Sequence, residues 1–153
     1  MKPKIFITHT IPDKGINMLK EKFDIEINNL NGILDKHKLI KCAKDKDVIL
    51  SLLSDKIDAE VLNSCPNLKI ISNYAVGFNN IDLKSATERG IYVTNTPRTL
   101  DETTADFVFA LILGISRRVV ESDKYMRDGR YKGWGAMDFL GFDVYNSTLG
   151  IIK

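Results

Sequence analysis

The chain has 153 residues, 44% of them hydrophobic and 27% charged, which suits one compact domain with a sizeable core. Its 22 basic and 20 acidic residues leave a net charge of +2 spread along the chain, which argues against a nucleic-acid or membrane partner. Cys42 and Cys65 stand far apart, with no CxxC and no histidine at ligand spacing, so free cytosolic thiols and no metal are expected.

The N-terminal apolar run, residues 5–7, is too short for a signal peptide, and the longest run, 107–115, is well under a membrane span. With no secretion signal, the sequon Asn146-Ser147-Thr148 reads as a chance match in a cytoplasmic protein.

Strand and helix signals alternate along the first 95 residues. Residues 4–8 form a short β-prone run. Pro12 then stands where it can open a helix, with Ile16, Leu19 and Phe23 at helical spacing. Residues 23–27 alternate apolar and acidic, as a half-exposed strand does, and 33–43 read as a helix. The nearly continuous apolar run 48–53 fits a strand buried on both faces. A short helix at 58–64 and a buried strand at 68–72 follow. The helix predicted at 81–89 is closed by Gly90, and 91–94 make a fifth strand.

This order predicts an α/β fold with a parallel sheet and helices on both faces. Ligands collect at the carboxyl ends of such strands, which singles out the loops after Ile7, Leu53, Asn73 and Thr94. After Pro97 the rhythm changes. Thr99 and Glu102 fit a capping box at the start of one long helix reaching about Arg127. Its face, with Phe107, Val108, Leu111, Ile112 and Ile115, must be covered by something. A glycine-punctuated segment, 129–141, carries the sole tryptophan, Trp134, and residues 148–152 read as a last strand. A domain boundary is placed at residues 97–100, giving units 1–99 and 100–153.

Asn73-Tyr74-Ala75-Val76-Gly77-Phe78-Asn79-Asn80-Ile81-Asp82 carries the clearest local signal. A buried strand runs into a Gly-containing turn and then a helix. Such a turn aims backbone N–H groups where they can hold a carboxylate or phosphate, or it is simply a tight strand-to-helix turn. Asp101-Glu102-Thr103-Thr104 at a helix start could contact an anion or a hydroxyl, or merely cap the helix. His9 reads as a solvated loop histidine and His37 as exposed. Gly133-Trp134-Gly135 lacks the third glycine of a dinucleotide fingerprint, and no self-contained catalytic set stands out.

Several ordered motifs resemble the NAD(P)-dependent D-isomer-specific 2-hydroxyacid dehydrogenases, most of all the glyoxylate and hydroxypyruvate reductases. They are Leu52-Leu53-Ser54-Asp55, the Asn73 to Asp82 stretch, Gly90-Ile91-Tyr92-Val93-Thr94-Asn95-Thr96-Pro97, and Glu102-Thr103-Thr104-Ala105-Asp106-Phe107. Gly133-Trp134, Phe139-Leu140-Gly141-Phe142-Asp143-Val144-Tyr145 and Leu149-Gly150-Ile151-Ile152 complete the set.

The resemblance implies a flavodoxin-like substrate domain at 1–99, followed by the long helix and first strand of an incomplete Rossmann domain at 100–153. It implies that the backbone of Val76 and Gly77 holds the substrate carboxylate, that Leu53 lines the pocket, and that Val76 and Thr104 lie beside NAD or NADP. Trp134 resembles part of an intersubunit arm of a homodimer. The implied reaction is hydride transfer to a small 2-oxo acid.

In the family, Leu-Gly-Ile-Ile runs into G-x-G-x-x-G; here Lys153 stands at the first of those glycines. The family's catalytic Arg, Glu and His have no counterpart. The chain is therefore expected to be inactive alone, to bind the dinucleotide weakly at best, and to need a complementing C-terminal half. Its uncovered apolar face and unpaired last strand predict poor solution behaviour. The alternative reading is a non-catalytic flavodoxin-like binding or regulatory module. A flavin site is disfavoured by the loop His9-Thr10-Ile11-Pro12-Asp13, and a phospho-receiver by the spacing of Asp13 and Asp55.

Overall fold

A computed structural model of the chain describes residues 1–28 and 32–152. The chain divides into two compact units, Met1–Thr99 and Leu100–Lys153. Lys153, where the family resemblance stops, lies outside the described residues.

The first unit alternates β1 (Lys4–Ile7), α1 (Asp13–Lys22), β2 (Asp24–Ile27), α2 (Lys36–Ala43) and β3 (Val48–Ser51). It continues with α3 (Ala59–Ser64), β4 (Ile70–Asn73), α4 (Leu83–Glu88) and β5 (Tyr92–Thr94). All four strand pairings are parallel, in the order β2-β1-β3-β4-β5. This is the flavodoxin-like arrangement, whose strand order reverses between β1 and β3.

Period-two alternation decides which face each side chain joins. Phe6, Ile49 and Ile71 turn to one face and pack with Leu39 and Ala43 of α2, Val61 and Leu62 of α3, and Ala86 of α4. Ile5, Ile7 and Val48 turn to the other, against Leu19 and the neighbouring Ile11 and Phe23. Each fully buried side chain of this size contributes roughly 1.5–3 kcal/mol. Helices therefore cover both faces, as the sequence predicts.

Helices α2, α3 and α4 start one to three residues later than the apolar pattern suggests, because an aspartate stands just outside each of the three as its N-cap. Asp35 accepts from Lys38 N–H (2.8 Å), Asp58 from Val61 N–H (3.3 Å) and Asp82 from Ser85 N–H (3.0 Å). Gly90, with φ +68°, follows the last residues of α4 as expected of a left-handed cap.

At the amino edge of the sheet, Asp45 lies between Lys4 (2.9 Å) and Lys46 (2.6 Å). Hydrogen bonds from Lys46 and Lys4 hold its carboxyl down from the ordinary 3.8 to about 2. Asp47, Asp58 and Asp82 are also lowered, chiefly by hydrogen bonds from Lys69, from Lys36 and from the Ser85 N–H respectively. A depressed carboxylate stabilises the fold above its unfolded pKa and stops doing so as pH falls through the folded one. Urea midpoints are therefore expected to fall steadily from about pH 4 to about pH 2, and Asp45→Asn is expected to flatten part of that slope.

In the second unit the single long helix predicted to reach Arg127 is two helices, α5 (Asp101–Ser116) and α6 (Val119–Arg127). Arg118 adopts a left-handed conformation (φ +54°), which ends one ladder and starts the next. The Thr99 capping box is not formed. Thr99 Oγ1 donates to Thr96 O (3.2 Å) and Pro97 O (3.4 Å) instead, because the turn at Arg98 (φ +61°) folds the hydroxyl back onto its own loop. Leu100 takes the cap position without a side-chain bond.

The segment after α6 returns to the break between the helices. Phe142 N–H donates to Ser116 O (2.8 Å), and a Cβ on Gly141 would lie 2.1 Å from that same oxygen, so only glycine fits there. Phe139 meets Tyr125 edge-on at 5.1 Å, with the Arg118 guanidinium 5.4 Å from its ring centre. No residue of α5 is buried, and Phe107, Leu111 and Ile115 face outward. Residues 148–152, predicted as a strand, pair with no strand among the described residues; a strand needs a neighbour to bond. No helix among the described residues is long and apolar enough to cross a membrane.

Candidate functional site

The carboxyl ends of β3 and β4 deliver two loops side by side. After β3 comes Leu52 to Asp55, and after β4 comes Tyr74 to Asn80. A parallel bridge between Ile57 and Ile81, both buried, joins the two loops where they enter α3 and α4. Ile57 N–H donates to Asn80 O (2.9 Å) and Asp82 N–H to Ile57 O (2.9 Å).

The second loop is built so that three successive carbonyls are occupied. Ala75 O accepts from Thr96 N–H (2.9 Å), Val76 O from Asn95 Nδ2 (2.8 Å) and Gly77 O from Asn73 Nδ2 (2.8 Å). The N–H groups of Val76 and Gly77, in contrast, have no acceptor among the described residues. A turn whose carbonyls are tied back and whose N–H groups are left unpaired offers donors to an anion. Leu53 closes over it: a Cβ on Gly77 would lie 3.4 Å from Leu53 Cδ2 and 3.5 Å from Asn79 Oδ1. The side chains of Leu53 and Val76 are about half exposed here, at 54% and 44%. Leu53, singled out in a separate stretch of the sequence, thus lies against the Val76–Gly77 turn.

The first loop hangs on a buried carboxylate. Asp55 is 1% exposed, and its Oδ2 accepts from Thr8 Oγ1 (2.5 Å) and from Leu52 N–H (2.8 Å). His9 Nδ1 lies 3.6 Å from that oxygen and 3.2 Å from Thr8 Oγ1. His9 is therefore not the solvated loop histidine expected. The end of β1 carries it alongside β3, and its side chain is only 18% exposed. Asp55 Oδ1 is buried and meets no partner among the described residues.

Thr104 lies in the first helical turns of α5, its N–H donating to Leu100 O (2.9 Å), and is exposed; Trp134 is 84% exposed. Both belong to the second unit. The sequence reading gave no role to Asn73, Asn80 or Asn95, although all three flank the turn it singled out. Their signal was available: amides at strand ends commonly satisfy loop backbone. A larger hollow of about 870 Å³ lies at the amino edge, lined by Pro3, Asp45, Asp47 and Pro66 among others. It sits at the wrong end of the strands for a switch-point ligand. Among the described residues no group of three or more His, Cys, Asp or Glu could hold a metal.

Comparison with known proteins bears on the family and the fold. A family model described as D-isomer specific 2-hydroxyacid dehydrogenase, catalytic domain, matches residues 5–148. The chain is 50% identical to a glyoxylate reductase of Korarchaeum cryptofilum over 153 residues, which cover 99% of this chain and 46% of that protein. It is 47% identical to a glyoxylate reductase of Pyrococcus furiosus over 156 residues, covering 99% and 46%. The crystal structure of the TT0316 protein from Thermus thermophilus superposes with a TM-score of 0.88 at 40% identity, covering 92% of this chain and 45% of that one. The chain thus spans under half the length of these relatives.

Proposed function

Since the chain belongs to the D-isomer specific 2-hydroxyacid dehydrogenase family, we propose that it is the N-terminal portion of an NAD(P)-dependent reductase of 2-oxo acids of the glyoxylate or hydroxypyruvate type. Residues 1–99 would hold the substrate and 100–153 would open the cofactor domain. The observation that carries this reading is the pair of unpaired N–H groups of Val76 and Gly77 under Leu53. A small 2-oxo acid would place its carboxylate on those two donors and its short carbon chain against Leu53. Charge-assisted bonds of this kind are worth about 1.5–3 kcal/mol each.

The residues in hand do not make a dinucleotide site. Ten glycines are present, yet none fall in a G-x-G-x-x-G pattern, and among the described residues, 148–152 pair with no strand. When bound by a completed enzyme, NAD(P)H would supply the hydride. Val76 and Thr104 are this chain's contributions beside it, and Trp134 its contribution to a homodimer arm. An arginine and a carboxylate-backed histidine would come from a complementing second half.

The test is NADH and NADPH oxidation with glyoxylate. The 153-residue chain alone is expected to give no turnover. Joined in frame to the second half of the Korarchaeum cryptofilum reductase, it is expected to turn over glyoxylate. Turnover by the chain alone, or a folded hybrid that binds NADH yet does nothing to glyoxylate, would contradict the proposal.

A further inference from the structure

We propose that Asn80 is a positioning residue for 2-oxo-acid binding, its side-chain amide locking the Leu53 loop onto the Val76–Gly77 loop. The inference rests on the substrate reading above. Asn80 touches neither the unpaired N–H groups nor Leu53's side chain. It acts through what it holds. Its Nδ2 donates to Leu52 O (3.1 Å) and Asp55 O (3.0 Å), the carbonyls on either side of the Leu53–Ser54 turn, and shares a weaker contact with Asn73 Oδ1 (3.3 Å). Its Oδ1 accepts from Asn73 Nδ2 (3.2 Å), the same nitrogen that ties back Gly77 O (2.8 Å). Ser51 Oγ, at the end of β3, donates to Asn73 Oδ1 (2.9 Å) and fixes that amide in turn.

An unbroken amide chain thus runs from Leu52 O through Asn80 and Asn73 to Gly77 O. Leu52 is held at both its peptide groups, by Asp55 on the N–H and by Asn80 on the carbonyl. Backbone bonds join the two segments where they leave the strands (Tyr74 N–H to Ser51 O) and where they enter the helices (Ile57 N–H to Asn80 O); between those points, among the described residues, Asn80 alone bonds the Leu52–Asp55 turn to the second loop through a side chain. An aspartate at position 80 would have the same shape but no donor, and would face two carbonyls with like charge. A serine would be too short to reach either.

The experiment uses the full 153-residue chain, labelled with ¹⁵N, and two probes: oxamate, a stable 2-oxo-acid mimic, and formate, which offers a carboxylate alone. Affinities are measured for the wild type, Asn80→Asp and Asn80→Ser at a temperature where each is fully folded by its melting curve. A residue that served the fold alone would then leave affinity unchanged. The expected result is an oxamate affinity weakened about tenfold or more in both variants, with formate weakened far less, since only the two-carbon probe spans the gap to Leu53. Oxamate binding within twofold of wild type in a folded variant, or equal losses for both probes, overturns the proposal.

In the wild type the Asn80 side-chain amide signals must also move on oxamate binding. Unmoved signals overturn it even where neither variant folds. Failure of the wild type to bind oxamate at Val76 and Gly77 would instead overturn the substrate reading, and this inference with it.

Discussion

Asp55→Ala is expected to destabilise the first unit by about 2–4 kcal/mol. The carboxylate is 1% exposed and serves two donors at once, Leu52 N–H and Thr8 Oγ1. Removing it leaves a buried amide without an acceptor, at about 1–3 kcal/mol, and a second loss at the hydroxyl. The hydroxyl loss is the smaller, because Thr8 Oγ1 can still donate to Leu50 O at 3.2 Å. Asp55→Asn should recover roughly half, since its oxygen can still accept while its NH₂ occupies the place of an oxygen that already lacks a partner. Urea unfolding at constant slope measures both, and a loss under about 1 kcal/mol for the alanine would show that the first loop is held by other means.

Gly77→Ala is expected to weaken binding of a 2-oxo acid about tenfold or more, or about 1.4 kcal/mol, while leaving the melting temperature almost unchanged. The glycine has no left-handed backbone to protect, and a Cβ placed there meets Leu53 Cδ2 at 3.4 Å, an ordinary contact. The fold therefore tolerates the methyl group. That methyl group, however, stands beside the Gly77 N–H and against Leu53, where it would crowd an acid whose carboxylate is proposed to sit on that N–H and whose carbon chain is proposed to lie against Leu53. Calorimetric titration of oxamate against wild type and variant, with melting curves on the same samples, separates the two effects. Equal affinities would mean that the acid lies elsewhere.

The buried strands of the first unit were legible as short apolar runs, within which successive side chains turn to opposite faces, and its helices by their 3.6-residue spacing. Phe6, Ile49 and Ile71 on one face and Ile5, Ile7 and Val48 on the other follow from that pattern alone. Helix starts were read early because Asp58 and Asp82 are caps, and a cap is polar in the same way as a first helical residue. The break at Arg118 left no mark, since nothing in Arg117-Arg118-Val119 forbids a helix, and the Gly141–Phe142 segment that returns to the break is distant from it in sequence.

For the site, the turn at Gly77 was visible as a strand-to-helix junction. The pairing of His9 with Asp55 was not, because the two are brought together only by the β1–β3 ladder. The amide chain through Asn73 and Asn80 likewise depends on which carbonyls lie within reach, which no spacing rule supplies.

The central claim is that the turn after β4 is an anion grip for small 2-oxo acids. Titration of the ¹⁵N-labelled chain with oxamate, following every backbone amide, tests it most directly. Saturable shifts are expected, led by the amides of Val76 and Gly77, with smaller ones at Leu53 and none along the amino edge at Asp45 to Asp47. Saturable binding that leaves Val76 and Gly77 unmoved, or no binding at all by the folded chain, would contradict it.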